Sequence, residues 1–247
     1  MRNRVLSVVA AAALAAGGLT TATLVNPATA AADGCFTFDS DLSEGDSGAA
    51  VEELQVRVAG WVSRGEHLTI DGEFGPATEA AVERFQEGYD IAPSGVVDAE
   101  TREVLHALGQ DDCTPEHFSY SEFDDNCGAN NFEGGKVDAA TAKENSRRVM
   151  WQLEAMRHKL GDVPLGITSG FRSVSCNDSV GGSSTSRHMY GETADLGIGA
   201  NEHPQCTLYD AAHEAGFTEI IGPGAEGHND HVHVANDPTP YSSAPNC

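Results

Sequence analysis

Two short segments about forty residues apart place the strictest condition on how this chain can fold, because their polar side chains make chemical sense only if they meet. Ser186-Arg-His-Met-Tyr-Gly-Glu-Thr-Ala-Asp195 and His228-Asn-Asp-His-Val-His233 together hold four of the ten histidines and two aspartates, in sequence that lacks the Leu-rich periodicity of a core helix. His188 and Asp195 stand seven apart across a Gly-containing turn, so they cannot be adjacent on a helix face; one can end a loop while the other begins a strand, both aimed at one ion. His231 and His233, at i and i+2, project to the same side of a strand. Neutral imidazole with carboxylate suits zinc, and three protein ligands with an open fourth position make a catalytic site. Spacing alone leaves four candidate ligands: His188, Asp195, His231 and His233.

The N-terminus points to the compartment. Arg2 and Arg4 precede an apolar run from Val5 to Ala16, and small residues from Ala28 to Ala32 follow. Residues 1–32 therefore read as a secretory signal peptide. Gly17, Gly18 and a Thr cluster interrupt the run before it reaches the ~20 apolar residues of a membrane span. Cys35 suggests lipid attachment, but Ala32-Asp33-Gly34 before it lacks the apolar residue such a signal needs. Export to the medium or the cell wall is expected. Six cysteines remain, an even number, which in an exported chain argues for three disulfides. None stands at C-x-x-C spacing, so a thiolate zinc site is not expected.

Fourteen Lys and Arg face thirty-eight Asp and Glu, a formal net charge of −24. Such a field repels nucleic acid and anionic membranes, and neither is expected as a partner. After Lys159 the only basic side chains are Arg172 and Arg187, against eleven acids. Cations kept in so acidic a segment, beside the histidines, point to an anionic group held there. Arg172 is the candidate; Arg187 faces away if its loop alternates, and is set aside.

Between Gly45 and Leu108 the chain reads as three amphipathic helices, with stripes at Val51, Leu54 and Val58, at Ala81, Val82 and Phe85, and at Val104, Leu105 and Leu108. Asp71-Gly-Glu-Phe-Gly-Pro-Ala-Thr78 and Gly95-Val-Val-Asp-Ala-Glu-Thr101 form a weak internal repeat. Each supplies a turn glycine, an apolar plug and a helix start, with Pro76 in a first turn and Asp98 as N-cap. Together with Leu54-Gln55 and Phe85-Gln86, this pattern resembles the bacterial peptidoglycan-binding domain built as a three-helix bundle. The resemblance implies wall attachment by residues 33–112, although most of the matching residues are also what folding alone requires. Gly109 to Glu116 reads as a linker. Cys35 and Cys113 flank the module, so the simplest pairing closes it as one loop. Three pairings of the other four cysteines are possible.

Residues 113–247 read as a second, α+β domain. Asp138 caps a long helix striped by Val149, Leu153, Met156 and Leu160. Strands are expected at Pro164–Phe171, Asp195–Ile198, Glu219–Ile221 and Asp230–Ala235, a helix at Thr207–Ala215, and a Ser/Gly-rich loop at Ser173–Thr185.

Ser186-x-His188-x-x-Gly191-x-x-x-Asp195, the preceding Ser169-Gly-Phe-Arg172 and the terminal Asp230-x-x-His233 resemble the zinc D-Ala-D-Ala carboxypeptidase family, which includes vancomycin-resistance dipeptidases and endolysin peptidases. The resemblance implies a small antiparallel sheet with helices, Zn2+ held by His188, Asp195 and His233, and pairing of Cys127 with Cys176 and of Cys206 with Cys247. His231 becomes a neighbour that contacts substrate or orients the site. Asp230 matches the general base that moves a proton from the metal-activated water to the leaving amine. Its odd separation from His233 puts the two on opposite faces of a regular strand, so Asp230 belongs on the turn before it. Arg172 is assigned to the substrate's carbonyl or terminal carboxylate. His228 either donates to the tetrahedral intermediate or is a loop histidine, and Ser186 either bonds substrate or caps the loop. Thr193 departs from the family pattern, which usually has Ala there.

The implied activity is hydrolysis of the C-terminal D-Ala-D-Ala bond of peptidoglycan stem peptides, by a monomer with the wall polymer as partner. The rivals are a peptidoglycan endopeptidase cutting a cross-link or an L-Ala-D-Glu bond, and a non-catalytic wall-binding protein with a structural zinc.

Overall fold

The computed structural model describes residues 35–124 and 131–247. The expected signal peptide lies outside the described residues, as does Cys127 of the expected Cys127–Cys176 pair. The disulfides Cys35–Cys113 and Cys206–Cys247 are present, with Cα separations of 5.2 and 5.4 Å. Among the described residues no helix is long and apolar enough to cross a membrane.

The N-terminal part consists of α1 (Ala49–Val58), α2 (Pro76–Gly88) and α3 (Ala99–Ala107) around a core that includes Val51, Leu54, Phe74, Phe85 and Leu105. Pro76 opens α2, where its missing N–H costs nothing, and the Asp98 side chain accepts from the Thr101 N–H to cap α3. Each helix-initiating turn of the internal repeat is built around one buried glutamine from the preceding helix. Gln55 donates to the Asp71 side chain, the Glu73 carbonyl and the Thr78 hydroxyl, and accepts from the N–H groups of Asp71 and Gly72. Gln86 repeats the device: it donates to the Val96 carbonyl and the hydroxyls of Ser94 and Thr101, and accepts from the Gly95 N–H. A buried amide that saturates its own bonds in this way fixes turn geometry.

The segment expected as a linker is folded. Gln110 donates to the carbonyls of Pro115 and Phe118, Thr114 is buried, and Trp151 Nε1 donates to the Cys113 carbonyl at 3.3 Å. Polar turn residues suggested freedom, but their side chains are spent on local hydrogen bonds. After the one-turn α4 (Tyr120–Phe123), α5 (Ala139–Lys159) runs beneath both halves. It packs on α1, and Arg147 makes two bonds to Glu53 at 3.0 and 2.7 Å. Burial by itself would raise the Glu53 carboxyl, but Arg147 and Arg57 outweigh it and hold its pKa below the ordinary value.

The second half holds α6 (Val174–Ser179), a 3-10 turn (Arg187–Tyr190), β1 (Thr193–Gly197), α7 (Gln205–Glu214), β2 (Glu219–Ile221), β3 (His231–Ala235) and β4 (Tyr241–Ser243). The sheet order is β1-β3-β2-β4. The first three strands pair antiparallel, while β4 runs parallel to β2, so the sheet is mixed. The chain leaving β3 turns around the start of β2 and comes back on its far side. Val149, Met150, Leu153 and Met156 of α5 share one core with Leu196, Ile220, Val232 and Val234 of the sheet.

Two local expectations are corrected. Pro164–Phe171 is extended but is not a strand: only Ser169 bridges to Asp195. Pro164 has no N–H to offer, and Gly170 lies flat on Phe123, where a Cβ would come within 2.5 Å of the Phe123 Cα. The Ser173–Thr185 loop contains α6, whose first turn is capped by the Ser173 hydroxyl accepting from the Cys176 N–H.

Candidate metal centre

His188 comes from the 3-10 turn and Asp195 from the middle of β1, and the link between them is held by α5. Asn145 donates to the Tyr190 carbonyl and Ser146 to the Gly191 carbonyl. Gly191 has φ +74°, and a Cβ there would fall 2.2 Å from the Ala142 carbonyl oxygen, so only glycine fits the turn. His233 is brought in by strand register: it lies directly opposite Asp195 in the β1–β3 pair.

The three side chains are buried, and one ligand atom from each lies within 4.8 Å of the others. His188 Nδ1 donates to the Gly170 carbonyl at 2.5 Å, which leaves Nε2 with its lone pair, 3.2 Å from Asp195 Oδ2. His233 Nδ1 is 2.8 Å from Asp195 Oδ1. Burial pushes the His188 pKa down and keeps the ring neutral, even against the pull of Asp195. Burial would raise the Asp195 carboxyl, yet the two imidazoles hold it well below the usual range, so it is ionised. Two neutral imidazoles and one carboxylate converging in this way fit zinc, through Nε2 of His188, Nδ1 of His233 and a carboxylate oxygen.

This group lies in an open cavity of about 570 Å³. The cavity wall also brings in Arg172, Ser186, His228 and His231. Arg172 Nη2 bonds Asp195 Oδ2 at 2.7 Å, and its Nε donates to the Ser169 hydroxyl at 2.8 Å. The cation is thus fixed beside the carboxylate that would hold the metal. His231 projects to the same side as His233, as strand alternation requires, with Nε2 3.7 Å from Asp195 Oδ1; it stands outside the three-residue group. Its Nδ1 is 2.8 Å from Asp230 Oδ1.

Asp230 lies on the turn before β3, as its spacing demands, but it is not in the cavity wall. Its side chain is 85% exposed, and the bond to His231 holds its pKa below the ordinary value. Its bond to His231 joins it to the cavity wall. His228 Nδ1 donates to the Glu226 carbonyl at 2.7 Å, and burial lowers its pKa. In the neutral ring Nε2 is therefore an acceptor, which suits a substrate N–H better than a developing oxyanion. Ser186 precedes the 3-10 turn and makes no capping bond with its side chain.

Sequence reasoning passed over Arg187, Glu219 and Asp237, all in the cavity wall. Arg187 is paired with Glu192 and, at 3.6 Å, with Asp237. The expected alternation fails because residues 187–190 wind into a 3-10 turn. Glu219 depends on β2 lying beside β3, which the sequence does not display.

Residues 116–235 match the Peptidase M15 family model, and residues 47–105 match a peptidoglycan-binding domain model. The chain is 52% identical over 217 residues to the zinc D-Ala-D-Ala carboxypeptidase of Streptomyces albus G, covering 88% of this chain and 84% of that protein. It is 35% identical over 116 residues to an uncharacterised protein of Kitasatospora aureofaciens, covering 45% of this chain and 98% of that one. Among solved structures it is similar to a fused Zn-dependent amidase, peptidase and peptidoglycan-binding protein of Clostridium acetobutylicum. That match has 32% identity, covers 30% of this chain and 32% of the other, and has a TM-score of 0.25.

Proposed function

The chain belongs to the peptidase M15 family, and on that premise we propose that it is a zinc DD-carboxypeptidase that hydrolyses the C-terminal D-Ala-D-Ala bond of peptidoglycan stem peptides. The observation that carries the reading is the convergence of His188, Asp195 and His233 in an open cavity, in a chain 52% identical to an enzyme named for that activity.

His188, Asp195 and His233 hold the ion. Bound zinc supplies a Lewis acid that polarises the scissile carbonyl and acidifies water. The chain's own residues do the rest. Asp230 takes a proton from the attacking water and passes it to the leaving amine; its bond to His231 ties it to the cavity. Arg172, fixed by Asp195 and Ser169, presents its remaining N–H groups to the substrate's carbonyl or terminal carboxylate. His228 and His231 line the path of the peptide as acceptors, and Ser186 offers it a hydroxyl. No group of the protein forms a covalent bond to the substrate.

Residues 33–112 attach the enzyme to the wall and residues 113–247 carry the catalysis; the two family models match inside these bounds. Residues 1–32 direct export, and the enzyme works as a monomer at the wall or in the medium.

A time course of D-Ala released from a synthetic acyl-D-Ala-D-Ala peptide, with and without chelator, tests the activity. Release that stops with chelator and resumes with zinc is expected. Cleavage of cross-linked muropeptide dimers without release of D-Ala would establish the endopeptidase instead.

A further inference from the structure

We propose that Thr193 is a positioning residue for the metal: its hydroxyl accepts the Nε2 proton of His233 and so commits the opposite nitrogen, Nδ1, to the ion. Thr193 is fully buried at the start of β1, two residues before Asp195 and hence on the same face of the strand. Its Oγ1 donates to the Val234 carbonyl at 2.7 Å and lies 3.4 Å from His233 Nε2. A hydroxyl has one proton. The Val234 carbonyl can only accept, so that proton is committed there, and toward the imidazole the Thr193 oxygen can act only as an acceptor.

The imidazole needs such an acceptor. A neutral histidine that binds metal through Nδ1 carries its proton on Nε2, and this nitrogen lies 3.4 Å from the buried Thr193 hydroxyl. Without a partner it would be a buried, unpaired donor in the metal-bound state and in that state alone. The ring would then favour the other tautomer, with Nδ1–H donating to Asp195 Oδ1 at 2.8 Å, which blocks the ligand position. His188 shows the same logic with the nitrogens exchanged: the Gly170 carbonyl takes its Nδ1 proton and frees Nε2. One imidazole is thus held by a backbone carbonyl and the other by a side-chain hydroxyl. Glu219 is the competing acceptor. Its Oε2 is 3.9 Å from the same Nε2, beyond hydrogen-bond distance, and Glu219 lies in the cavity wall.

The inference rests on the zinc-site reading, and its test separates the two. Zinc affinity of the full chain is measured by competition with a chromophoric chelator for the wild type, Thr193→Ala, Thr193→Ser and Glu219→Gln. The wild type and Thr193→Ser are expected to bind alike, and Thr193→Ala about tenfold more weakly. The rise in melting temperature on adding zinc should shrink in Thr193→Ala and return in Thr193→Ser, whereas a variant that only loosens the sheet would keep the full rise. In zinc-loaded protein labelled with 15N-histidine, the His233 Nε2 proton should be shielded from exchange in the wild type and exchange freely in Thr193→Ala. Unchanged zinc affinity in Thr193→Ala overturns the inference, as does a loss confined to Glu219→Gln. A wild type that binds no zinc overturns the site reading itself.

Discussion

Asp195 and His233 face each other across the β1–β3 pairing, with Oδ1 and Nδ1 2.8 Å apart. The sheet therefore sets the spacing of two proposed ligands, and only His188 has to be delivered by a loop. Replacing any one of the three by alanine should reduce bound zinc to well below stoichiometric in metal analysis of purified protein. Near-stoichiometric zinc in all of H188A, D195A and H233A would refute the assignment.

Chelation should abolish D-Ala release, and added zinc should restore it. β-Lactams that acylate serine should leave the rate unchanged, because the proposed chemistry uses no protein nucleophile. A rate that survives chelation but falls with a serine acylator would rule out the mechanism.

Asp230→Asn should lower kcat by at least about a hundredfold, the lower range for loss of a general acid-base group. Zinc content should be unchanged, because Asp230 is outside the three-residue group. Wild-type turnover in the variant would remove Asp230 as the base. His231→Gln distinguishes a second route: a comparable loss there would indicate that the Asp230–His231 pair works as a unit.

Gln55→Leu should destabilise the N-terminal module by about 1–3 kcal/mol, since it leaves the Asp71 and Gly72 N–H groups without their acceptor. Chemical denaturation measures the cost. Retention of the folded variant on purified peptidoglycan should match the wild type, because Gln55 is buried. Lost retention without lost stability would instead mark Gln55 as part of the binding surface.

The ion pair between Glu53 and Arg147 predicts an acid limit. A carboxyl whose pKa is lowered by folding stabilises the native state above its unfolded value, about 4.3, and that contribution fades as pH falls through the folded value. The melting temperature should therefore be flat from neutrality to about pH 5 on this account, and fall below about pH 4. Glu53→Gln should destabilise the fold at neutral pH by about 1 kcal/mol or more, with Arg147 left to its Glu144 partner, and should flatten the acid limb. A Glu53→Gln profile parallel to the wild type would exclude this pair as the cause.

The proposed ligands were legible because two rules act over short range: a strand alternates, and a loop with glycine can turn a histidine inward. The three-helix module was legible for a related reason, since Pro76, Asp98 and the apolar stripes are local signals. What escaped is set by contacts distant in sequence. Nothing local shows that β1 pairs with β3 in the register that opposes Asp195 to His233, or that β4 returns parallel to β2. The apolar run before Arg172 has the composition of a strand, yet Phe123 occupies the side where a neighbour would pair. Gln110 and Thr114 looked like linker residues because their partners are each other, the Asp112 carboxylate and backbone groups nearby, which hydropathy does not register. Asp230 was placed on the correct turn, but the direction of its side chain depends on a bond to His231 that spacing does not reveal.

The folded connection after α3 has a bearing on how such an enzyme would meet its polymer. Two modules joined by a loose tether explore a volume, and anchoring one raises the local concentration of every site the other can reach. Here the Gln110, Trp151 and Glu53–Arg147 bonds tie the halves together along their junction in place of a loose tether. An enzyme anchored through its first half would carry its cavity at a fixed offset, as a ruler carries a mark. The stem peptides it trims would be those at one distance and orientation from the anchoring point, so the spacing of the wall itself would decide which termini are within range.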